Sequence, residues 1–275
     1  MRVTITGAGG LIGTKLTEAL EGRGDEVIPV SVRKDVDPAR IGDAVIHLAG
    51  ENVAQRWTDD ARERIEQSRV QGTRRIVKAI NEAGTEALIS SSAVGYYGPH
   101  GDEKLDETAP AGDTFLAQVC VAWENEADHA NTRVVKVRTG VVLDPNGGAL
   151  SKMLLPFKLG VGGPVAGGDQ YMPWIHIDDV IGIYLNALDD PTWSGAVNAT
   201  APEPVTNKDF SRALGRALRR PAVLPVPAFA IRLLYGEMAE IVTEGQRAVP
   251  ERALAAGFEF AHEDLEEALR HALGK

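Results

Sequence analysis

Residues 90 to 98 read Ser-Ser-Ser-Ala-Val-Gly-Tyr-Tyr-Gly. Three hydroxyls leave an apolar run and meet two adjacent phenols, a set able to hydrogen-bond a carbonyl or hydroxyl as charge develops on it. Proton transfer at neutral pH asks more of the tyrosines. A free phenol titrates near pH 10 and is a poor base unless a neighbouring cation, such as a lysine one helical turn on, lowers its pKa. The chain has five tyrosines, Tyr96, Tyr97, Tyr171, Tyr184 and Tyr235, and the residues four beyond them are His100, Gly101, Ile175, Leu188 and Ala239. No lysine serves any of them. Tyr96 and Tyr97 then read as catalytic candidates without an activator, or as aromatics that pack or line a substrate. Glu51 offers a carboxylate base, or equally a loop residue capping a backbone amide. Cys120 is a weak acid at best and reads more naturally as a small buried hydrophobe.

A second constellation lies at the start of the chain, in TITGAGGLIGTKL. The pattern G-x-G-x-x-G fails, because Ile12 takes its last place, but T-G-x-x-G-x-x-G fits with Gly7, Gly10 and Gly13. Between a strand and a helix, Gly7 allows a tight turn, Gly10 lets backbone approach a pyrophosphate and Gly13 lets the helix lie close on the sheet. The helix start, with Leu11 and Ile12, then turns amide N–H groups towards the anion. After the second strand an NAD site carries an acid for the ribose 2′-hydroxyl. Here the chain reads VIPVSVRKD, with Ser31, Arg33 and Lys34 before any acid. A permanent guanidinium suits a 2′-phosphate, so NADP is expected rather than NAD.

These residues need a scaffold. Short apolar runs at 2–6, 26–31, 44–48, 87–91 and 133–137 alternate with helical patterns at 11–21, 59–82 and 114–129, the signature of a parallel α/β sheet. Residues 32 to 43 hold Pro38 and are too few for a full crossover helix. From Gly147 the texture changes to helices at 149–159, 180–188, 207–219, 228–235 and 263–273. The reading is a Rossmann-type doubly wound α/β domain over 1–146 and a smaller substrate-side subdomain over 147–275, which can return strands to the sheet. In PWIHIDD, His176 and Asp178 share a strand face, but no third ligand spacing supports zinc, so no metal is expected. Asp178 or Asp179 is expected to cap a helix from Val180, and Trp174 and His176 to line the substrate side. The last segment, DLEEALRHALGK, reads as an amphipathic surface helix.

Composition narrows the class. The 275 residues are 44% hydrophobic and 25% charged, as in an ordinary globular protein. A net charge of −10 argues against nucleic-acid or anionic-membrane surfaces, which need clustered cations. The single cysteine excludes an internal disulfide framework and fits a reducing compartment. The apolar run at 3–5 is too short for a secretory leader, and no stretch approaches the roughly 18 residues of a membrane span. A cytoplasmic protein, monomer or homodimer, with a small-molecule substrate is expected.

Taken in order, TGAGGLIG, HLAGEN (47–52), SRVQGT (68–73), SSSAVGYYG, RTGVVL (138–143), LLPFKLGVGGP (154–164), PWIHIDDV (173–180) and EGQRAVPERAL (244–254) resemble an atypical extended short-chain dehydrogenase/reductase. The likeness is to the NAD(P)-dependent epimerase/dehydratase superfamily, and within it to the subgroup called epimerase family proteins, some labelled SulA. It covers essentially the whole chain. It implies an NADP(H)-binding oxidoreductase or epimerase-like protein, or a non-catalytic NADP(H)-binding sensor. Leu48, Ala49 and Gly50 are placed beside the adenosine, Arg69 at a phosphate or ribose, Val141 and Val142 towards the nicotinamide, and Ser90 on the cofactor side. Asn52 falls on the substrate side. Ser92, as third serine, corresponds to the catalytic one. Aligning on Glu124 puts Leu116 and Cys120 where the family has its tyrosine and lysine, so the usual acid/base pair is gone.

Overall fold

The computed structural model describes residues 1–275. The first half runs β1 (Arg2–Thr6), α1 (Leu11–Gly22), β2 (Glu26–Val30), β3 (Ala44–His47), α2 (Asp59–Ala83), β4 (Ala87–Ala93), β5 (Lys104–Leu105), α3 (Phe115–Ala127) and β6 (Arg133–Thr139). The second half continues with β7 (Val141–Leu143), α4 (Gly148–Lys158), β8 (Tyr171–Met172), β9 (Trp174–His176), α5 (Ile177–Asp189), β10 (Gly195–Ala199) and β11 (Val205–Thr206). It closes with α6 (Asn207–Leu218), α7 (Ala228–Tyr235), α8 (Glu240–Thr243), β12 (Arg247–Ala248), α9 (Glu251–Ala255) and α10 (Leu265–Ala272). The crossover from β2 to β3 holds only a 3-10 turn, Pro38–Arg40, as the short proline-bearing segment implied.

Six strands form one parallel sheet in the order β10-β6-β4-β3-β1-β2. Both faces are covered, and the middle of the sheet is apolar on both sides. Alternate residues sort by face: Val3, Ile5, Ala44, Ile46, Ile89, Val135 and Val137 pack with Leu16 and Leu20 of α1 and Ile183 and Tyr184 of α5. Val45 and Leu88 point the other way, onto Ile76, Val77 and Ile80 of α2 and Ala127 beneath α3. Pro29, which has no N–H to donate, sits in β2 at the sheet edge, where that loss costs least. The chain reverses direction across the sheet between β1 and β3, and that crevice is where ligands of such sheets bind.

The second half does not stand apart. It supplies β10, parallel to β6, and α5, which covers one face. Its remaining helices build a second core with Leu150, Leu154 and Phe157 of α4, Phe210 and Leu214 of α6 and Leu265 and Leu269 of α10 around Trp174. Residue 146, the expected boundary, thus divides neither the sheet nor the first core, which takes in Ile183, Tyr184 and Val197. No helix is long and apolar enough to cross a membrane.

Gly13 shows how tightly α1 lies on the sheet. A Cβ added there stands 2.3 Å from the Gly7 carbonyl oxygen, whereas one added at Gly9 meets nothing within 4 Å. Gly13→Ala is expected to destabilise the protein by about 1–3 kcal/mol, the usual range for overpacking. Urea unfolding checks this, with Gly9→Ala expected to stay within about 0.5 kcal/mol as the control.

Candidate functional site

The loop after β1 turns through Gly7 in the left-handed region, φ 72°, and a Cβ there meets the Ala49 nitrogen and Leu48 carbonyl carbon at 3.0 Å. The backbone of the loop thus rests on the residues that follow β3. Gly10 is the N-cap of α1 and has no side chain to cap it. The first-turn amides of Leu11, Ile12 and Gly13 have no partner inside the helix, which leaves them for an anion. Below, the Thr6 hydroxyl bonds Nδ1 of His47 at 2.6 Å and accepts the amides of Leu48 and Ala49, both at 3.2 Å. Nε2 of His47 reaches Thr73 at 2.9 Å, and burial pushes this imidazole down to about 4. On the far side, Gly147 and Gly148 pack on Leu11, and Gly148 also lies near the carbonyl of half-buried Val142, next to half-buried Val141.

Ser31, Arg33 and Lys34 follow β2 and are exposed. No carboxylate pairs with Arg33. Arg75, absent from the sequence reading, stands behind them and donates to the carbonyls of Val32 and Arg33 at 2.9 and 3.3 Å. It lies mid-helix in α2, and only the fold carries it there. Half-buried Arg69 donates to the carbonyls of Glu51 and Ile65 and stacks 5.0 Å from the Trp123 ring. Its guanidinium lies against exposed Gly50, and burial holds its pKa below the ordinary arginine value. It too has no carboxylate partner.

The serine–tyrosine stretch departs from expectation. Ser92 is buried and its hydroxyl donates to Oε1 of Glu124 at 2.6 Å. Glu124 is in turn gripped by Arg138 through two bonds of 2.8 Å, and both are nearly inaccessible. Arg138 also donates to the Tyr97 hydroxyl at 3.0 Å, and that hydroxyl donates to Asn198 at 2.7 Å. Tyr97 is fully buried and burial pushes its phenol up to about 12. Neither Ser92 nor Tyr97 is free to act on a substrate, because each is a member of a buried charge network. Tyr96, half-buried, has the Arg138 guanidinium 3.4 Å from its ring centroid. Ser90 is buried with its hydroxyl on the Ser91 carbonyl at 3.3 Å, so its side chain cannot reach a cofactor. Ser91 pairs with the Tyr184 hydroxyl at 2.6 Å. Cys120 is buried against Ser92, its thiol pushed up to about 11 mainly by desolvation. Glu51 is half-buried, and its carboxylate accepts only from the Gln55 side chain, at 3.1 Å, rather than from a backbone amide. Exposed Asn52 closes a turn by accepting the Ala54 amide at 2.9 Å.

PWIHIDD is rearranged as well. α5 begins at Ile177 and its cap is His176, whose Nδ1 accepts the Asp178 amide at 3.1 Å. Neither aspartate is the cap. Asp179 is buried and accepts the Ala261 amide at 2.7 Å. Trp174 is fully buried in the second core and donates to the Glu203 carbonyl, so it does not line a substrate surface. His176 is buried beside His262 and His271. Sequence spacing offered no third ligand near His176 and Asp178; the fold supplies two.

The glycine loop, the β1/β3 reversal and the sheet order agree with the comparisons. The model of the NAD dependent epimerase/dehydratase family matches residues 3–199, and that of a domain of unknown function, DUF1731, matches 226–272. The chain belongs to the NAD dependent epimerase/dehydratase family. It is similar to the mouse epimerase family protein SDR39U1, 41% identical over 98% of this chain and 99% of that one. An Arabidopsis thaliana relative, the chloroplastic SDR39U1 homolog, is 37% identical over 98% of this chain and 86% of its own. A crystal structure of human SDR39U1 with NADPH superposes with a TM-score of 0.93, at 36% identity and over the whole of both chains. The α3 carboxylate of Glu124 is committed to Arg138.

Two outcomes follow for stability. Glu124→Gln is expected to cost about 3–5 kcal/mol, because it strands a buried guanidinium, and Ser92→Ala about 1.5–3 kcal/mol. Chemical denaturation measures both. His47 holds its folded pKa near 4, below the unfolded value near 6.5, so the unfolded chain binds the extra proton first. Its contribution is intact above pH 6.5 and is lost as pH falls to about 4, by about 3 kcal/mol in all. The slope of unfolding free energy against pH in that window reads it.

Proposed function

We propose that this family member binds NADPH in the β1/β3 crevice and acts as an oxidoreductase or epimerase-like enzyme on a small hydroxyl- or carbonyl-bearing molecule, without a tyrosine–lysine pair. One observation carries the cofactor half: an uncapped α1 N-terminus at the crevice, with Arg33 after β2 neutralised by no carboxylate. The open space at Gly9 and the backbone seat formed by Gly7 on Ala49 fit a dinucleotide. The NADPH bound to human SDR39U1 supports the same reading.

When bound, NADPH supplies a hydride. The chain's part is to hold and orient. The amides of Leu11, Ile12 and Gly13 receive the pyrophosphate; Ser31, Arg33 and Lys34 receive the 2′-phosphate, with Arg75 fixing the carbonyls of their loop. Leu48, Ala49 and Gly50 floor the adenosine, Arg69 serves a phosphate or ribose, and Val141 and Val142 close the nicotinamide side. The proton has a different source from that of the family's usual enzymes. Ser92 gives its hydrogen to Glu124, and the Tyr97 phenol keeps its own at neutral pH. Glu51, next to Gly50, is a carboxylate not committed to a cation and can serve as a base, with water as proton donor. A small-molecule substrate, no nucleic-acid or membrane partner, a monomer or homodimer and a cytoplasmic location complete the reading.

A second reading, a non-catalytic NADP(H) sensor, is favoured by the burial of Ser92 and Tyr97 in the Glu124–Arg138 network. Fluorescence titration at one fixed salt concentration tests the cofactor. NADPH is expected to bind much more tightly than NADH, and Arg33→Ala to weaken NADPH about 10–100-fold, one charge-assisted pair, with NADH affected less than about threefold. Equal affinity for the two cofactors overturns the NADP assignment. Steady NADPH consumption with a carbonyl panel, reduced by Glu51→Gln, supports the enzyme; tight binding without turnover supports the sensor.

A further inference from the structure

His176, Asp178, His262 and His271 come from the β9–α5 junction, the segment before α10 and the last turn of α10, and one ligand atom from each lies within 4.8 Å of all the others. Oδ2 of Asp178 is central. It stands 3.4 Å from Nδ1 of His176, 3.5 Å from Nε2 of His262 and 3.9 Å from Nδ1 of His271. Nε2 of His176 and Nδ1 of His271 are 3.3 Å apart. A tetrahedral ion held at about 2.0–2.1 Å spaces its ligand atoms about 3.3 Å from one another. The 3.5 and 3.9 Å separations of Asp178 from His262 and His271, and the 3.3 Å between Nε2 of His176 and His271, approach that spacing. Nδ1 of His176 faces Asp178 as a hydrogen-bonding atom and not as a ligand. We propose that the four residues form a site for zinc, or a zinc-like divalent transition metal, which fastens the C-terminal helix to the β9–α5 junction.

The donor set selects the ion. Three imidazoles with one carboxylate suit zinc, cobalt, nickel or copper, whereas calcium and magnesium require oxygen ligands. The site is graded from inside to outside: His176 is buried, His262 is largely covered, and Asp178 and His271 face solvent, giving the ion a way in. It is also braced from behind. Asp179 accepts the Ala261 amide at 2.7 Å, which fixes the segment that presents His262. Outer partners of this kind orient metal ligands. His176 donates a lone pair to an ion as the neutral imidazole. Since its Nδ1 accepts the Asp178 amide, Nε2 carries the hydrogen and points at His271. Loading moves that hydrogen to Nδ1, turns it towards the Asp178 carboxylate and breaks the helix-cap bond. This site stands independently of the NADPH reading.

The test uses untagged full-length protein stripped with a chelator and titrated with zinc and with cobalt(II). One equivalent is expected to bind, cobalt giving the visible absorption of a four-coordinate nitrogen–oxygen site, and zinc raising the unfolding temperature. His271→Ala and Asp178→Asn alter exposed side chains that the core does not need. Each is expected to weaken zinc by about 100-fold or more, beyond the loss seen for an outer partner, and to abolish the thermal shift. No stoichiometric uptake at micromolar zinc by the parent protein overturns the proposal, as does uptake that both variants retain.

Discussion

The ion pair between Glu124 and Arg138 is the contact on which the rest of this structure turns. A buried guanidinium or carboxylate is tolerable only with its partner and with its remaining hydrogen-bonding positions filled. Here the filling recruits Ser92 from β4, Tyr97 from the turn after it and, through Tyr97, Asn198 from β10. Asn198 carries the chain of bonds on to the carbonyls of Leu105 and Val249, and its amide bonds Glu107. A single electrostatic requirement in the sheet interior thereby ties α3, the strands β4, β5, β6 and β10 and the segment after β12. The same requirement removes the serine and one tyrosine from chemistry. The Ser92 and Tyr97 hydroxyls are spent on holding charge inside the protein.

Much of the scaffold was legible because it is local. Short apolar runs between helical patterns located β1, β2, β3, β4 and β6 within a residue or two, while the two-residue β5 went unread, and Pro38 explained the missing crossover helix. The cofactor crevice was legible for the same reason, since Gly7, Gly10 and Gly13 act on backbone that lies next to them in sequence. The fate of Ser92 was not. Its partner lies 32 residues away, and nothing in SSSAVGYYG distinguishes a serine facing a substrate from one facing a buried glutamate. Arg75 escaped notice because its position depends on how far α2 runs before it passes the end of β2. His271 escaped for a like reason: it meets His176 across 95 residues of chain, and the final helix read as amphipathic surface without need of a partner.

The two halves therefore stand in an unequal relation. The first brings the nucleotide-binding backbone, and the second completes the sheet with β10 and covers it with α5. The region matched by the domain of unknown function supplies α10, which reaches back to His176 at the end of β9. Family membership accordingly specifies the fold and the crevice.

The uncapped start of α1 has a kinetic side. A protein of net charge −10 repels a polyanion on approach, and the repulsion falls away within a Debye length of the surface, about 8 Å at physiological salt. Inside that distance the helix end and the neighbouring guanidinium and ammonium groups reverse the sign of the field. Added salt weakens both the long-range repulsion and the short-range pull. Capture and release of a phosphorylated ligand then both quicken with ionic strength, and the rate of encounter becomes a property of the whole surface rather than of the crevice alone.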